Sequence, residues 1–280
     1  MKLKNSAGKW IVAASFGVAL VGCQKMDRPA LTQFPQDTYQ PGGPLKFYTA
    51  FDGTTNNPLM NAVDSIRATF PSSNPLTLVD GVSGKALQGE NKKFVKFAKP
   101  NDWAQTAKSF TISFWYKKNG QTQNNTGGNG PEYIFSFKSN NEHWTGGNMA
   151  LFLEGNNTAA AVKMFVVDKD KKNDPWFTWE NAETIPGLLD NKWHHMALVY
   201  SAANSTMILY VDGVANPKTK TPNADLKDLD LDDSKLVEFR IGAGPGDKFD
   251  SDDWLSSTFK GNIDQFRMYT EPLSAEQVRA

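Results

Sequence analysis

Tryptophan side chains in polar segments are the residues of this sequence best suited to hold a ligand. Trp144 follows His143 in a stretch rich in Asn, Gly and Thr. Trp176 and Trp179 come after an Asn-Asp-Pro step, and Trp254 ends an acidic segment. An indole offers a flat apolar face to the C–H groups of a sugar ring, while polar neighbours bind its hydroxyls. We therefore predict that these four rings and His143 contact a ligand; the alternative is that each ring caps the core.

The carboxylates show no catalytic spacing. Glycoside hydrolysis uses two carboxylates that flank the bond to be broken. Glu142 lies in a polar loop and Glu154 follows a predicted strand, and neither has a recognisable partner in the sequence. The acidic cluster of residues 246–253 (GDKFDSDD) is typical of a solvated loop, with a ligand or metal site as the alternative. We therefore predict that this protein is not an enzyme.

The remaining histidines favour a structural role. His194 and His195 are adjacent, so on a strand they point to opposite faces and do not readily chelate one ion. No Ser-His-Asp order and no cysteine nucleophile can be assembled. Trp115 and Trp193 lie within predicted strands, and this favours packing in the core.

The sole cysteine, Cys23, points to a lipid anchor. It follows a basic start and an apolar run over residues 10–21 that is too short to span a bilayer. Residues 20–23 (LVGC) resemble a lipobox, which implies a signal peptide over residues 1–22 and acylation of Cys23. Residues 23–44 predict a flexible tether. In lipoproteins of enteric bacteria an Asp after the cysteine favours the inner membrane, so by resemblance Gln24 implies the outer membrane. An ordinary secretory signal is the alternative.

The composition narrows the function classes. The sequence has 30 Lys+Arg and 30 Asp+Glu with no basic stripe, which argues against nucleic acid as a partner. With Cys23 lipidated, no disulfide can form, so the exported domain must depend on its hydrophobic core.

Short apolar runs and turn signals predict an all-β domain over residues 45–280. Residues 109–117 alternate, with Phe110, Ile112, Phe114 and Tyr116 on one face. Asp212-Gly213 is a hairpin signal, and Ser274 is placed to cap a short C-terminal helix. The predicted strands are residues 46–52, 92–97, 109–117, 132–138, 149–154, 161–167, 176–180, 193–201, 205–211, 236–242 and 259–269. Many strands with almost no helix indicate a two-sheet antiparallel β-sandwich or jelly roll.

Several segments occur in the order typical of one family. They are residues 50–53 (AFDG), 84–87 (GKAL), 109–115 (SFTISFW), 193–200 (WHHMALVY), 208–213 (ILYVDG), 239–242 (FRIG), 259–269 (FKGNIDQFRMY) and 273–278 (LSAEQV). Together they resemble the LamG-like jelly rolls of the concanavalin A-like lectin/glucanase superfamily. The resemblance implies this fold from residue 45 to the end, while the superfamily itself includes binders, adhesion modules and glycosidases.

The resemblance also bears on metal and catalysis. Many members carry a structural calcium. The positions that match its ligands in this sequence are Asp264, the segment at Asp52 and the backbone near residues 84–89. An ordinary hydrogen bond or ion pair of Asp264 is the alternative. The Glu-x-Asp-x-x-Glu motif of the glucanase branch does not occur in this sequence.

These observations leave three hypotheses open. The first is a non-catalytic carbohydrate-binding lipoprotein at the outer membrane, exposed on the cell surface in a Bacteroidota-like bacterium, that holds a polysaccharide near proteins that cut and import it. The second is a protein-binding adhesion or assembly module. The third is a divergent glycoside hydrolase.

Overall fold

The computed structural model describes residues 43–52, 60–64, 68, 77–121, 130–170, 174–223 and 225–280. The predicted signal peptide, Cys23 and all but the last two residues of the predicted tether lie outside these residues. The strands are β1 (Leu45–Thr49), β2 (Thr77–Asp80), β3 (Lys85–Gln88), β4 (Val95–Phe97), β5 (Phe110–Asn119), β6 (Glu132–Ser139), β7 (Gly147–Gly155), β8 (Ala160–Val166), β9 (Trp176–Trp179), β10 (Asp190–Ser201), β11 (Thr206–Val211), β12 (Val214–Ala215), β13 (Leu236–Ile241) and β14 (Asn262–Tyr269). The helices are α1 (Trp103–Thr106) and α2 (Ala275–Arg279), with 3-10 turns at Asn181–Glu183, Asp233–Lys235 and Trp254–Ser256.

Two antiparallel sheets form the predicted sandwich. Among the described residues, sheet I has the order β12-β11-β10-β5-β14-β3-β2, with β1 also paired to β14. Sheet II has the order β4-β13-β6-β7-β8-β9. The strand between residues 109 and 117 occupies the middle of sheet I as β5, and its predicted alternation is confirmed. Phe110, Ile112, Phe114 and Tyr116 all face the core.

An aromatic cluster fills the space between the sheets. Phe239 of β13 lies 4.9 Å from the ring centre of Phe47 and 4.7 Å from that of Phe137. Phe266 of β14 stacks on Phe114 at 5.6 Å and meets Phe135 of sheet II edge-on at 5.7 Å. Burial of such rings, with their offset and edge contacts, provides the main stabilisation of a domain that has no disulfide.

The elements that the sequence does not predict are short. Strands β2 and β3 and helix α1 were not predicted, because each has only four residues and too little periodicity to stand out. Trp103 of α1 is fully buried in the core. The expectation that Trp115 and Trp193 are core residues is wrong, since both are partly exposed.

Local turn and cap chemistry confirms two sequence predictions. Asp212 and Gly213 both have positive φ and join β11 to β12, as a tight hairpin requires. Ser274 accepts a hydrogen bond from Gln277 N, while the Gln277 side chain accepts one from Ser274 N, which completes a capping box on α2. No helix among the described residues is long and apolar enough to cross a bilayer.

A buried ion pair joins the two sheets. Lys118 near the end of β5 and Glu132 at the start of β6 are 1% and 2% exposed, with Nζ and Oε1 3.3 Å apart. The second oxygen, Glu132 Oε2, accepts a hydrogen bond from Lys260 N at 2.8 Å. Burial lowers the pKa of Lys118, although the Glu132 carboxylate opposes this shift. Each charge therefore depends on the other.

Removal of one member of this pair should be more harmful than removal of both. Lys118→Met removes the buried ammonium that pairs with the Glu132 carboxylate, and we expect the free energy of unfolding to fall by about 3–5 kcal/mol. Lys118→Met combined with Glu132→Gln keeps an acceptor for Lys260 N and should recover most of that loss. Urea unfolding measures both changes. A single substitution that costs as little as the double one would contradict this account.

Candidate functional site

Three of the predicted ligand-binding tryptophans meet on one outer surface. The ring centres of Trp144 and Trp176 lie 6.4 Å apart and nearly parallel, at 14°. Trp254 completes the group, at 5.9 Å from Trp144 and 6.4 Å from Trp176. We call Trp144, Trp176 and Trp254 the tryptophan surface. Residues separated by more than a hundred positions in the chain thus form one aromatic group.

An apolar base under these rings fixes their positions. Alternate residues of sheet II point away from the core and form a separate buried cluster that includes Tyr133, Phe152 and Phe165. Trp176 packs on Phe165 at 5.3 Å, and Trp254 packs on Tyr133 and Phe152 at 6.3 and 5.9 Å. Two of the three indoles are therefore held by the sheet.

Trp144 is the most exposed member of the surface. It lies in the turn between β6 and β7 and is 59% exposed, whereas Trp176 and Trp254 are partly buried. A large exposed ring that adjoins other rings forms an apolar patch, and such patches often mark binding sites. Trp144 therefore offers the most free ring area.

Trp179 must be removed from the predicted set. It is fully buried in the core, and its Nε1 donates to the backbone oxygen of Lys218 at 2.6 Å. The reason is strand alternation: on β9, Phe177 and Trp179 share the inner face, while Trp176 lies on the outer face.

His143 flanks Trp144 but is already engaged. Its Nδ1 lies 2.9 Å from Thr145 Oγ1, and its Nε2 lies 3.4 Å from Asp174 Oδ2. The imidazole is close to the Trp144 indole, at 5.6 Å between ring centres. His143 therefore lies beside the tryptophan surface, in a position to support the turn that presents Trp144.

A charged cleft adjoins the tryptophan surface. A cavity of about 390 Å³ is bounded by Trp176, Trp254 and the side chains of Glu154, Lys163 and Glu180. Lys163 Nζ lies 2.7 Å from Glu154 Oε2 and 2.9 Å from Glu180 Oε2. Burial lowers the pKa of Lys163, but the hydrogen bonds that its ammonium donates to the two carboxylates outweigh burial and raise the pKa. These polar groups can donate to and accept from ligand hydroxyls.

The charged cleft was not predicted as a unit. Glu154 lacks a recognisable partner in the sequence because its neighbours come from other strands. The sequence indicates part of this cleft, because the alternation of β9 places Trp176, Thr178 and Glu180 on one face. Only the register of β8 with β7 and β9 brings Lys163 to both carboxylates.

The acidic loop that ends at Trp254 is anchored at its start. Arg240 is buried, and its Nη2 lies 2.7 Å from Asp247 Oδ1, while its Nη1 donates to the oxygens of Gly244 and Gly246. Burial opposes ionisation of Asp247, but Lys138 and Arg240 lower its pKa. Beyond this anchor, Asp250 and Asp252 are exposed, as expected for a solvated loop.

The two predicted metal-site carboxylates face one turn. Asp264 is fully buried; its Oδ2 accepts from Val82 N and Ser83 N, at 2.8 and 3.3 Å. Asp52 Oδ1 accepts from Lys85 N at 2.6 Å. A Cβ at Gly81 would lie 2.4 Å from Asp264 Oδ2, so the turn approaches this carboxylate too closely for another residue type.

One oxygen of this site has no partner in the described part of the chain. Asp264 Oδ1 is buried without a hydrogen bond, and burial raises the pKa of the carboxyl group, with Asp52 adding to the shift. A hard oxygen in this position fits a calcium ion in its donor chemistry. The described residues contain no group of three or more His, Cys, Asp or Glu side chains that could hold a metal, so backbone oxygens would have to supply other ligands.

The adjacent histidines point to opposite sides of β10, as predicted. His194 bridges two carboxylates, with Nδ1 2.9 Å from Asp212 Oδ2 and Nε2 3.0 Å from Asp190 Oδ1. Burial works against its charge, but both carboxylates raise the pKa of His194. His195 instead faces Ser113 on the outer side of sheet I. The pair cannot bind one ion together.

Comparison with known proteins agrees with this architecture. Residues 89–279 match the Laminin_G_3 family, described as concanavalin A-like lectin/glucanases superfamily. Domain 4 of AbnA, a GH43 extracellular arabinanase from Geobacillus stearothermophilus solved with arabinotriose, has a TM-score of 0.54 at 19% identity. The match covers 84% of this chain and 97% of that one. No curated protein sequence is significantly similar to this chain.

Toxin binding domains share the same fold. The botulinum neurotoxin DC binding domain, solved with rat synaptotagmin II, gives a TM-score of 0.55 at 13% identity. The same domain solved with SialylT gives 0.53 at 13% identity. The match covers 84% of this chain in both cases, but only 50% and 49% of the toxin chains. Because the sequence identity is low, these similarities show a shared fold alone.

The different burial of the tryptophans predicts different effects on stability. Trp144→Ala removes a mostly exposed ring, so we expect the free energy of unfolding to change by less than about 1 kcal/mol. Trp179→Ala empties a core position and should cost about 3–5 kcal/mol. Denaturant unfolding followed by circular dichroism gives both values. A large loss in Trp144→Ala, or a negligible one in Trp179→Ala, would contradict the positions described for these rings.

Proposed function

This chain belongs to the concanavalin A-like lectin/glucanase superfamily, and on that fold we propose that its tryptophan surface binds a carbohydrate without cleaving it. The convergence of Trp144, Trp176 and Trp254 on the outer face of sheet II is the observation that supports this most. A sugar ring presents C–H groups on one face, which pack against an indole, and hydroxyls around its edge. The site combines free ring area with polar groups at its margin.

The charged cleft supplies the polar part of the interaction. Lys163 can donate to a hydroxyl oxygen, while Glu154 and Glu180 can accept from hydroxyl hydrogens. Because the two carboxylates and the ammonium group already hold one another, they are ordered before a ligand arrives. Such preorganisation reduces the entropy lost on binding.

The structural relatives support the same class of ligand. The arabinanase domain was solved in complex with arabinotriose, and a toxin binding domain with SialylT. Another toxin complex contains synaptotagmin II, so this fold also accommodates a protein ligand. We prefer a carbohydrate for this chain because its outer surface carries three clustered indoles beside hydrogen-bonding groups.

The proposed cellular setting rests on the N-terminal sequence. The lipobox-like residues before Cys23 support lipidation of this cysteine and attachment to the outer membrane. The proposed role there is to hold a polysaccharide near partner proteins that cut and import it.

A second candidate, glycoside hydrolysis, is favoured by one observation. The side-chain oxygens of Glu154 and Glu180 both contact Lys163 Nζ, so they lie within a few ångström of each other beside the tryptophans. Retaining glycosidases use carboxyl groups about 5–5.5 Å apart. However, a general acid must be free to protonate the leaving group, whereas an oxygen of each carboxylate is held by Lys163. Binding without hydrolysis therefore fits the site better.

Affinity electrophoresis through gels that contain different polysaccharides tests this function. We expect one glycan to retard the wild-type protein, and Trp144→Ala to weaken its binding at least about tenfold, because a central indole at an interface contributes more than 1.4 kcal/mol. Trp193→Ala, which alters a partly exposed indole on β10 of the other sheet, is the matched control and should bind normally.

Release of reducing ends, assayed on the same panel, separates the alternatives. Retardation without product supports the proposal. Product that disappears in Glu154→Gln and Glu180→Gln would establish a hydrolase instead. If no glycan retards the protein and no product forms, the carbohydrate proposal fails and a protein ligand becomes the better candidate.

We also propose a structural calcium at Asp264 and Asp52. The buried, unpartnered Asp264 Oδ1 supports this assignment, and Asp52 adds a second carboxylate near the same turn. The ion would offset the cost of a buried carboxylate and tie the turn between β2 and β3 to β14. No catalytic step depends on it.

Calcium removal should destabilise the wild-type protein but not Asp264→Asn. We expect EDTA to lower the melting temperature of the wild type, calcium but not magnesium to restore it, and neither to affect the variant. Because burial raises the pKa of Asp264 above its ordinary 3.8, stability of the calcium-free wild type relative to the variant should fall as pH rises through the folded-state pKa. A melting temperature insensitive to both EDTA and calcium would contradict a calcium site.

A further inference from the structure

A second cleft lies on the opposite side of the sandwich, on the outer face of sheet I. It has a volume of about 550 Å³ and is formed by strands β5, β10 and β14 together with the C-terminal segment. We call it the arginine pocket, and its central residues are Ser113, Trp115, His195, Gln265 and Arg267. None of these residues belongs to the tryptophan surface or to the charged cleft.

The strands that form the core also form this pocket. On β5, Ile112 and Phe114 point into the sandwich, so Ser113 and Trp115 point outward. On β14, the pairing with β5 is interrupted between Asp264 and Arg267, and Gln265 has a φ of 51°. Such a bulge redirects side chains.

Arg267 is held in place without a counter-charge. Its guanidinium lies 4.5 Å from the centre of the Tyr48 ring. Its Nη1 donates to Gln265 O at 3.1 Å, and its Nη2 donates to Gln265 Oε1 at 2.7 Å. Tyr48 OH donates to the same Gln265 oxygen at 2.8 Å. Among the described residues, no carboxylate lies within ion-pair distance of Arg267.

Arg240, another arginine of this domain, differs from Arg267 in its partners. Arg240 is paired with both Glu238 and Asp247, so its charge is compensated within the fold. Within the described segments, Arg267 has only neutral acceptors, and a guanidinium carries five N–H donors in a planar fork. Donors therefore remain for an anionic group, for which two parallel hydrogen bonds to a carboxylate give the best geometry.

Ser113 and His195 add neutral polar groups next to Arg267, and Asp212 and Arg279 lie farther along the lining. Ser113 Oγ lies 2.8 Å from His195 Nε2, and both residues are nearly buried. Burial lowers the pKa of His195, and Arg267 adds to this, although Asp212 opposes it. The imidazole is therefore neutral at pH 7, and one ring nitrogen can donate while the other accepts.

The Ser113 and His195 pair is suited to binding rather than to nucleophilic catalysis. A serine nucleophile needs a histidine base whose second nitrogen is oriented by an acid. Here Asp212 Oδ1 accepts the backbone N–H of His195 at 2.8 Å, and its Oδ2 contacts His194. The pair can instead donate to and accept from ligand hydroxyls.

Trp115 provides an apolar wall next to these groups. Its indole lies 5.2 Å from the His195 ring and is partly exposed. The pocket thus places an indole face, neutral hydrogen-bonding groups and an uncompensated guanidinium within one cleft of ligand-binding size.

We infer that the arginine pocket binds an acidic sugar, with its carboxylate on Arg267, its C–H face against Trp115 and a hydroxyl on Ser113 and His195. A neutral sugar would leave the Arg267 donors unused, and a small inorganic anion would leave Trp115 uncovered. This site does not depend on the tryptophan surface, and the two could engage different residues of one polysaccharide.

Titration with monosaccharides tests the inference. D-glucuronate and D-galacturonate, with D-glucose and D-galactose as uncharged counterparts, are added to the ¹⁵N-labelled protein, and the indole N–H signals are followed by NMR. We expect the uronates to shift the Trp115 signal and to bind at least tenfold more tightly than the neutral sugars. Arg267→Gln should reduce uronate binding at least tenfold, and Ser113→Ala, which leaves all charges in place, several-fold.

The controls separate this site from the proposed function. Trp144→Ala should bind uronate like the wild type, so failure of the tryptophan surface leaves this result intact. If Arg267→Gln does not fold, Arg267→Lys tests the same point, because it keeps the charge but loses the bidentate fork and should weaken binding. Equal binding of neutral sugars, absence of uronate binding, or equally tight binding of sulfate and phosphate at the same signals would overturn the inference.

Discussion

The alternation of side chains across the strands of the two sheets is the constraint on which the rest of the structure depends. Inner residues such as Phe114, Phe239 and Phe266 interlock between the sheets, and a shift by one residue would expose them. That packing fixes the register of every neighbouring strand. It therefore also fixes which residues point outward, and all the ligand-binding groups described here are outward residues or lie in turns between such strands.

Two outer faces result, with different chemistry. Sheet II carries clustered indoles beside a lysine that is fully paired with carboxylates, and this combination suits a ligand rich in hydroxyls. Sheet I places the Trp115 indole in one pocket with Arg267, which has no carboxylate partner among the described residues, and this combination suits an anion. The two surfaces differ mainly in the partners of Lys163 and Arg267, and less in the number of their aromatic rings.

The sequence was sufficient for the fold and for part of the tryptophan surface. Alternation and turn signals are local, so β5, the Asp212-Gly213 hairpin and the capped C-terminal helix could all be predicted. The polar surroundings of Trp144, Trp176 and Trp254 correctly marked them as outward rings. Trp179 has similar polar neighbours in the sequence, but it alternates with Trp176 and shares the face of Phe177, which the structure places in the core.

Features that depend on strand order could not be read from the sequence. Lys163 meets Glu154 and Glu180 only through the pairing of β8 with β7 and β9, and Ser113 meets His195 only because β5 pairs with β10. The outward position of Trp115 follows from alternation, but its role depends on the bulge in β14. The most direct test of the central claim is an indole ¹H–¹⁵N spectrum of the protein with a fragment of a polysaccharide that it retains. Shifts of the Trp144, Trp176 and Trp254 signals, with the buried Trp103 and Trp179 unchanged, are the predicted result. Unchanged signals from all three surface rings in the presence of a bound glycan would contradict it.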